Sequence, residues 1–509
     1  MKGRKGIFPA VILILLFFLF RVFYLATTDY NLADDEAYFW DWSRHPAASY
    51  YDQGPMVAWL IRLFTSLLPL SEFSVRLAAP ICAALTAILL FLLTLEVTGS
   101  ASAGIIVLLL FHLTPIGAAG GIIMTYYSPQ ILFMSLVAFF LWRIIRDEKA
   151  RWWYPLGIAL GLGFLSHHMF LFFTAEVFLF LLLSEKNKRW LKRKEPYLAI
   201  LLMLVTASPL LIWNFNHNFV TFRHALGMIS APTKVTEPCR EFLQYLVGQA
   251  GVYTPFFFLA VLYSLGVSGW RGIKSKGEES EKWLFLFCLS APVIIFVGLL
   301  SLGGRTEANW PASGYLTGSL ATVWIWEEKY RRGGNLTRIL IKICLSLTLC
   351  LGLLSSAVAY YPSLSHHLGI KIDPKNDPAN RLYGWKELGN KVSEIWEEMG
   401  EKTFVAASGY GQAAELAFYV KGHPEVYEIP TGRRFSQYDF WNKEMEVIGK
   451  DAVLADYRPA SQAIENLFER VELAEKLVIR DRDSGLVRRE FYIYRCYGYK
   501  GTKEALSKY

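Results

Sequence analysis

The chain has 509 residues, 53% of them hydrophobic and 15% aromatic, with a formal charge of +8 at pH 7. That composition excludes an ordinary soluble globule, because apolar runs near the length needed to cross a bilayer recur along it. The positive excess does not point to nucleic acid: the basic residues cluster in short loops between the apolar runs, which is a topology signal.

In chain order, Lys2-Gly3-Arg4-Lys5 precedes a mostly apolar run from Ile7 to Phe23. The run is too long for a signal-peptide core and no small-residue cleavage site follows it, so it reads as an uncleaved first span. Just beyond stand three carboxylates, Asp34-Asp35-Glu36, and then a second polar and aromatic cluster, Tyr50-Tyr51-Asp52-Gln53-Gly54-Pro55. Charges near lipid are costly unless paired, hydrated or used. The segment 28–74 also carries Tyr38, Phe39, Trp40, Trp42, Tyr50, Tyr51 and Trp59. Such aromatics favour the lipid–water boundary, and short helices along the membrane surface are expected here. Two readings of the acids stand. Asp34 or Asp35 caps a helix starting near Glu36, or one of the three is a catalytic base held at headgroup depth.

Apolar periodicity predicts spans near 7–27, 75–95, 102–119, 122–142, 153–165, 168–184, 196–214, 241–267, 283–301, 311–326 and 338–358. The loops Arg143 to Arg151, Lys186 to Lys194, Arg271 to Lys282 and Lys329 to Arg338 are basic, which places them and the N-terminus in the cytoplasm. The acidic loop then faces outward. After Tyr361 the composition changes, and 362–509 reads as an extracytoplasmic α/β domain beside a transmembrane domain over 1–361. Thr403 to Ala407, Ala452 to Ala455 and Glu490 to Tyr494 read as strands; Trp385 to Met399, Ala413 to Val420 and Ser461 to Leu473 read as helices. Cys82, Cys288, Cys344 and Cys350 lie in apolar runs and read as small core residues, while Cys239 and Cys496 lie outside the spans and leave a disulfide open.

Taken together, Asp35 to Trp40, Tyr50 to Ile61 and Glu72 to Leu77 resemble the start of the GT-C glycosyltransferases. The similarity is to the protein-mannosyltransferase-like group that includes bacterial aminoarabinose transferases. Ser208 to Asn214, Glu307 to Pro311 and Asp439-Phe440-Trp441 extend the resemblance through nearly the whole chain. It implies an α-helical polytopic membrane protein of GT-C type, with about 11 to 13 transmembrane helices and a C-terminal soluble α/β domain. It also implies an enzyme that takes a sugar from a polyprenyl-phosphate carrier on the outer face. The sugar passes to a lipid, glycan or protein acceptor. The partners are then donor, acceptor and membrane lipid, without nucleic acid. The catalytic acid of the family falls on Asp35, a general base for the acceptor hydroxyl in an inverting attack, with Glu36 orienting nearby groups. No cofactor is implied, and a divalent cation is left open.

Candidates for the donor phosphate or substrate are Arg76, Arg223, Arg305, His217, His167 and His168, the arginines because a guanidinium matches phosphate bidentately. Each reads equally as a structural pair, a headgroup contact or a packed histidine. Tyr51 and Asp52 join them from the second cluster; Asp52 is a second acid or a turn residue before Gly54-Pro55. Three departures mark this chain. Gln53 stands where aminoarabinose transferases have lysine, and Gly54 where they have proline. Tyr127 stands where many relatives carry an acid, and Ser166-His167-His168 where many carry Ser-Lys-Tyr. The rival function is a transporter or flippase for a lipid-linked glycan, which predicts mid-span charges and an internal repeat; no repeat is visible.

Overall fold

The computed structural model of the chain describes residues 6–230, 237–304, 306–362, 364, 377–400, 402–429, 434–441, 444–481 and 485–501. Two compact units form. One comprises Met1–Ala26, Gln53–Val57 and Arg76–Tyr361, the other Thr27–Asp52, Ala58–Val75 and Pro362–Tyr509.

The first unit is helical. Among the described residues, six helices are long and apolar enough to cross a membrane: Ile7–Thr27, Glu72–Thr98, Tyr127–Asp147, Pro255–Lys274, Gly277–Leu300 and Asn335–Tyr360. A seventh arises if Glu195–Thr206 and Ser208–Asn216, bent by 58°, make one broken span. The protein is thus multi-pass, but several predicted spans are not single straight helices. The stretch 102–119 divides into Ala101–Leu113 and Pro115–Ala119, and 241–267 into Pro238–Tyr253 and Pro255–Lys274. Both breaks fall at Thr-Pro, where proline cannot donate to the preceding turn and drives the residue before it out of helical geometry. Thr254 accordingly takes φ 65° and ψ 144°. On the expected cytoplasmic side, basic side chains find acids: Arg143 and Arg146 reach Glu96 at 2.9 and 2.8 Å.

The second unit joins the acidic loop to the C-terminal region. Five strands, β1 (Phe404–Ala407), β2 (Val426–Glu428), β3 (Ala452–Asp456), β4 (Phe468–Arg480) and β5 (Val487–Tyr499), form one sheet in the order β2-β1-β3-β5-β4. The β1 strand runs parallel to β2 and β3; β3–β5 and β5–β4 are antiparallel. The helix predicted over Ser461 to Leu473 is overturned: only Gln462–Glu465 is helical, and β4 begins at Phe468. Its charged residues line an edge strand, and pairing with β5 outweighs their helical preference. The six cysteines are free. Cys496 is buried within β5 and Cys239 is exposed, so no disulfide links them. Cys344 and Cys350, expected in a core, are half-buried and exposed.

The aromatics of the first loop also differ from expectation. Tyr38, Phe39, Trp40, Trp42, Tyr50 and Tyr51 are buried in the second unit instead of standing out as membrane anchors. Trp42 stacks on Tyr50 at 4.3 Å, and Trp40 meets Phe418 edge-on at 4.8 Å. Polar contacts reinforce the packing: the Asn31 side chain accepts from the Trp385 amide at 2.9 Å, and Tyr438 donates to Asp41 at 2.5 Å.

Candidate active site

The three acids open the helix Asp34–Arg44, where negative charge complements the helix dipole. They do different work. Ala33 is the residue at the cap, so neither Asp34 nor Asp35 caps the helix. Glu36 is wholly buried and its Oε2 accepts the Ala33 amide at 3.0 Å, one half of a capping box. Asp34 is pressed against Gly411, and its Oδ1 is buried without a hydrogen-bond partner among the described residues. Burial pushes the Asp34 carboxyl above its ordinary range, partly offset by Arg489 and Arg381. Asp35 is half-buried, and its Oδ1 accepts a long bond from the Tyr410 hydroxyl at 3.4 Å. Among the described residues nothing else hydrogen-bonds that carboxylate.

Asp52 belongs to the same surroundings. Its Oδ2 accepts from the Tyr38 hydroxyl at 2.8 Å, and Arg434 reaches its Oδ1 at 3.2 Å. The Tyr38 oxygen accepts in turn from the Gln437 amide at 2.6 Å. Burial pushes Asp52 up from 3.8 to about 6, against Arg434 and the Tyr38 bond, while the Asp35 charge adds to the rise. Tyr51 is buried; its amide donates to the Gln437 side chain at 2.7 Å, which makes a structural anchor of its backbone.

The raised Asp52 gives a sign opposite to the usual carboxylate. Between its unfolded and folded values the folded chain binds more protons, so stability falls as pH rises from about 4 to about 6, by roughly 3 kcal/mol at most from this group. Asp52→Asn is expected to flatten that fall in the pH dependence of the melting temperature. An unchanged pH profile would contradict the assignment.

The remaining candidates lie in the helical unit. Arg76 is buried at the end of the helix Glu72–Arg76. His167 stacks on Tyr126 at 4.6 Å and lies tilted against His168 at 4.1 Å, and the His167 Nδ1 accepts the Met169 amide at 3.1 Å. His167 therefore closes the end of the helix Trp153–Ser166. His217 stacks on Trp213 at 3.9 Å, and Arg223 is exposed on the helix Val220–Ser230. Arg305 lies outside the described residues. Among the described residues no group of three or more His, Cys, Asp or Glu could hold a metal ion.

Sequence reasoning missed Tyr410 and Arg434. A signal for Tyr410 exists: Ser408-Gly409-Tyr410-Gly411 follows β1 and opens the helix Tyr410–Tyr419, at the carboxyl end of parallel strands where open α/β sheets place ligands. Arg434 follows no motif.

The helical unit and the mixed sheet make the chain a multi-pass membrane protein with a C-terminal sheet domain. Residues 52–213 match the family model of dolichyl-phosphate-mannose-protein mannosyltransferases. The chain is 26% identical over 343 residues to lipid A galacturonosyltransferase RgtD of Rhizobium johnstonii, covering 66% of this chain and 68% of that protein. Its fold is similar to ArnT from Cupriavidus metallidurans in the apo state, with a TM-score of 0.61 at 12% identity over 97% of this chain and 98% of that one. The undecaprenyl phosphate-bound form of ArnT gives 0.62, also at 12% identity, over 96% and 97%. The resemblance to GT-C glycosyltransferases that the motifs implied is present in sequence and in fold, and supports a membrane glycosyltransferase.

Proposed function

We propose that the chain transfers a sugar from a polyprenyl-phosphate carrier to an acceptor hydroxyl, with inversion, at the outer face of the cytoplasmic membrane. One observation carries the choice of base. Of the three clustered acids, Glu36 is committed to the helix cap and Asp34 has one oxygen shut away against the sheet domain, whereas Asp35, half-buried, has among the described residues a single long hydrogen bond, from the Tyr410 hydroxyl. Asp35 takes the acceptor proton as the acceptor oxygen bonds to the anomeric carbon and the bond from that carbon to the phosphate oxygen breaks. The polyprenyl phosphate leaves as a weakly basic anion, so cations rather than a strong acid serve it. Arg76 and the His167–His168 pair are the proposed contacts for that anion. The basic loops support a cytoplasmic N-terminus and an outward-facing acidic loop and sheet domain.

Relatives guide the substrates. RgtD is named for lipid A and galacturonic acid, and ArnT is described bound to undecaprenyl phosphate. A lipid-borne acceptor is therefore the first to try. The test is reconstitution in liposomes with labelled polyprenyl-phosphate-linked galacturonic acid, mannose or aminoarabinose, and lipid A as acceptor. Label is expected in the acceptor with one of these donors. If none supports transfer and a lipid-linked glycan instead crosses the bilayer, the transporter reading replaces this one.

A further inference from the structure

The sheet domain does more than pack against the acidic helix. Docking within the second unit is already secured by apolar and polar contacts away from the carboxylates: Trp40 on Phe418, Asn31 on Trp385, Tyr438 on Asp41, and Arg44 on Glu425 at 2.9 Å. Arg434 adds little to that packing, since its side chain is 48% exposed. Yet its guanidinium lies over the Tyr410 ring at 4.9 Å while reaching Asp52, and the Tyr410 hydroxyl reaches Asp35. The four side chains make a continuous path from one carboxylate to the other, and its two middle members come from the C-terminal region.

We propose that the sheet domain completes the catalytic site: Tyr410 orients the Asp35 carboxylate, and Arg434 is a positioning residue that keeps Asp52 ionised and in place beside it. This rests on Asp35 being the base. Among the described residues, the groups facing Asp52 include Arg434, Tyr38, Asp35, Tyr51 and Tyr410. Arg434 is the cation among them. Without it, the buried Asp52 takes up a proton at higher pH, and the charge balance beside Asp35 changes with it.

The test uses the full chain in nanodiscs with whichever polyprenyl-phosphate sugar the wild type accepts. Arg434→Met is expected to move the acid limb of kcat upward by about one pH unit, and Arg434→Lys to restore it. Tyr410→Phe is expected to lower kcat about tenfold with KM unchanged, the loss of one hydrogen bond in the transition state. A reading independent of any donor is the pH dependence of the melting temperature, whose Asp52 component is expected to move upward by about one unit in Arg434→Met. If both variants keep the wild-type kcat and acid limb while Asp35→Asn is inactive, this proposal falls and the base assignment stands. If Asp35→Asn is fully active, both fall. If Arg434→Met loses its melting transition and Arg434→Lys restores the transition but not the acid limb, Arg434 is structural and the proposal is overturned.

Discussion

Asp35→Asn is expected to lower kcat by about 10²–10⁴-fold, the usual contribution of a positioned general base, with KM for the donor little changed. The amide cannot take the acceptor proton, yet it matches the carboxylate in size and still offers an oxygen to the Tyr410 hydroxyl. Its neighbours are the controls. Glu36→Gln leaves an acceptor for the Ala33 amide, because glutamine serves that position of a capping box as glutamate does. Asp34→Asn removes a charge that burial already disfavours. Both are expected to fold and to retain most of their turnover. Single-turnover transfer rates for the three variants, with melting temperatures as a check on folding, decide the matter. Full turnover in Asp35→Asn, or an equal loss in Asp34→Asn, would show that the base is elsewhere.

The acidic motif was legible because three carboxylates beside a membrane span need a reason, and its order with the later motifs carried the class of fold. β1, β3 and the core of β5 were also legible, as short runs rich in apolar residues bounded by polar ones. What the sequence could not give was the unit to which the acidic loop belongs. Tyr38 and Trp42 read as membrane-interface aromatics because their surroundings come from residues hundreds of positions later: the Tyr38 ring lies 4.7 Å from that of Tyr410 and 5.9 Å from that of Tyr438. Periodicity reports one face of one segment and is silent about which distant segment covers it. The same limit hid Arg434, whose role depends on reaching Asp52 across 382 positions. The β4 error has another cause. Phe468 to Leu473 carries its apolar residues at 468, 471 and 473 between charged ones, a spacing without the period of two, and its burial does not alternate either.

Gly54 carries a strong prediction. In the helical unit a Cβ on Gly54 would sit 2.1 Å from the Leu165 carbonyl oxygen and 2.7 Å from its carbon. Both are backbone atoms, so no rotamer change relieves the clash. The glycine lets the chain after Asp52 lie directly on the end of the helix Trp153–Ser166, two residues before His167. A proline ring brings the same Cβ and a bulkier side chain against that backbone. Gly54→Ala is therefore expected to cost roughly 1–3 kcal/mol or more through forced backbone movement, and Gly54→Pro more still. The measurement is the melting temperature of the purified variants beside Gly227→Ala. Gly227 is a helical glycine with nothing within 4 Å of its Cβ position, and its alanine variant should be neutral or slightly stabilising. Transfer activity is expected to fall in Gly54→Ala even below its melting transition, because the displaced backbone carries the histidine pair proposed to meet the donor phosphate. A Gly54→Ala variant as stable and active as Gly227→Ala would mean that the close approach at Leu165 is not a feature of the folded protein.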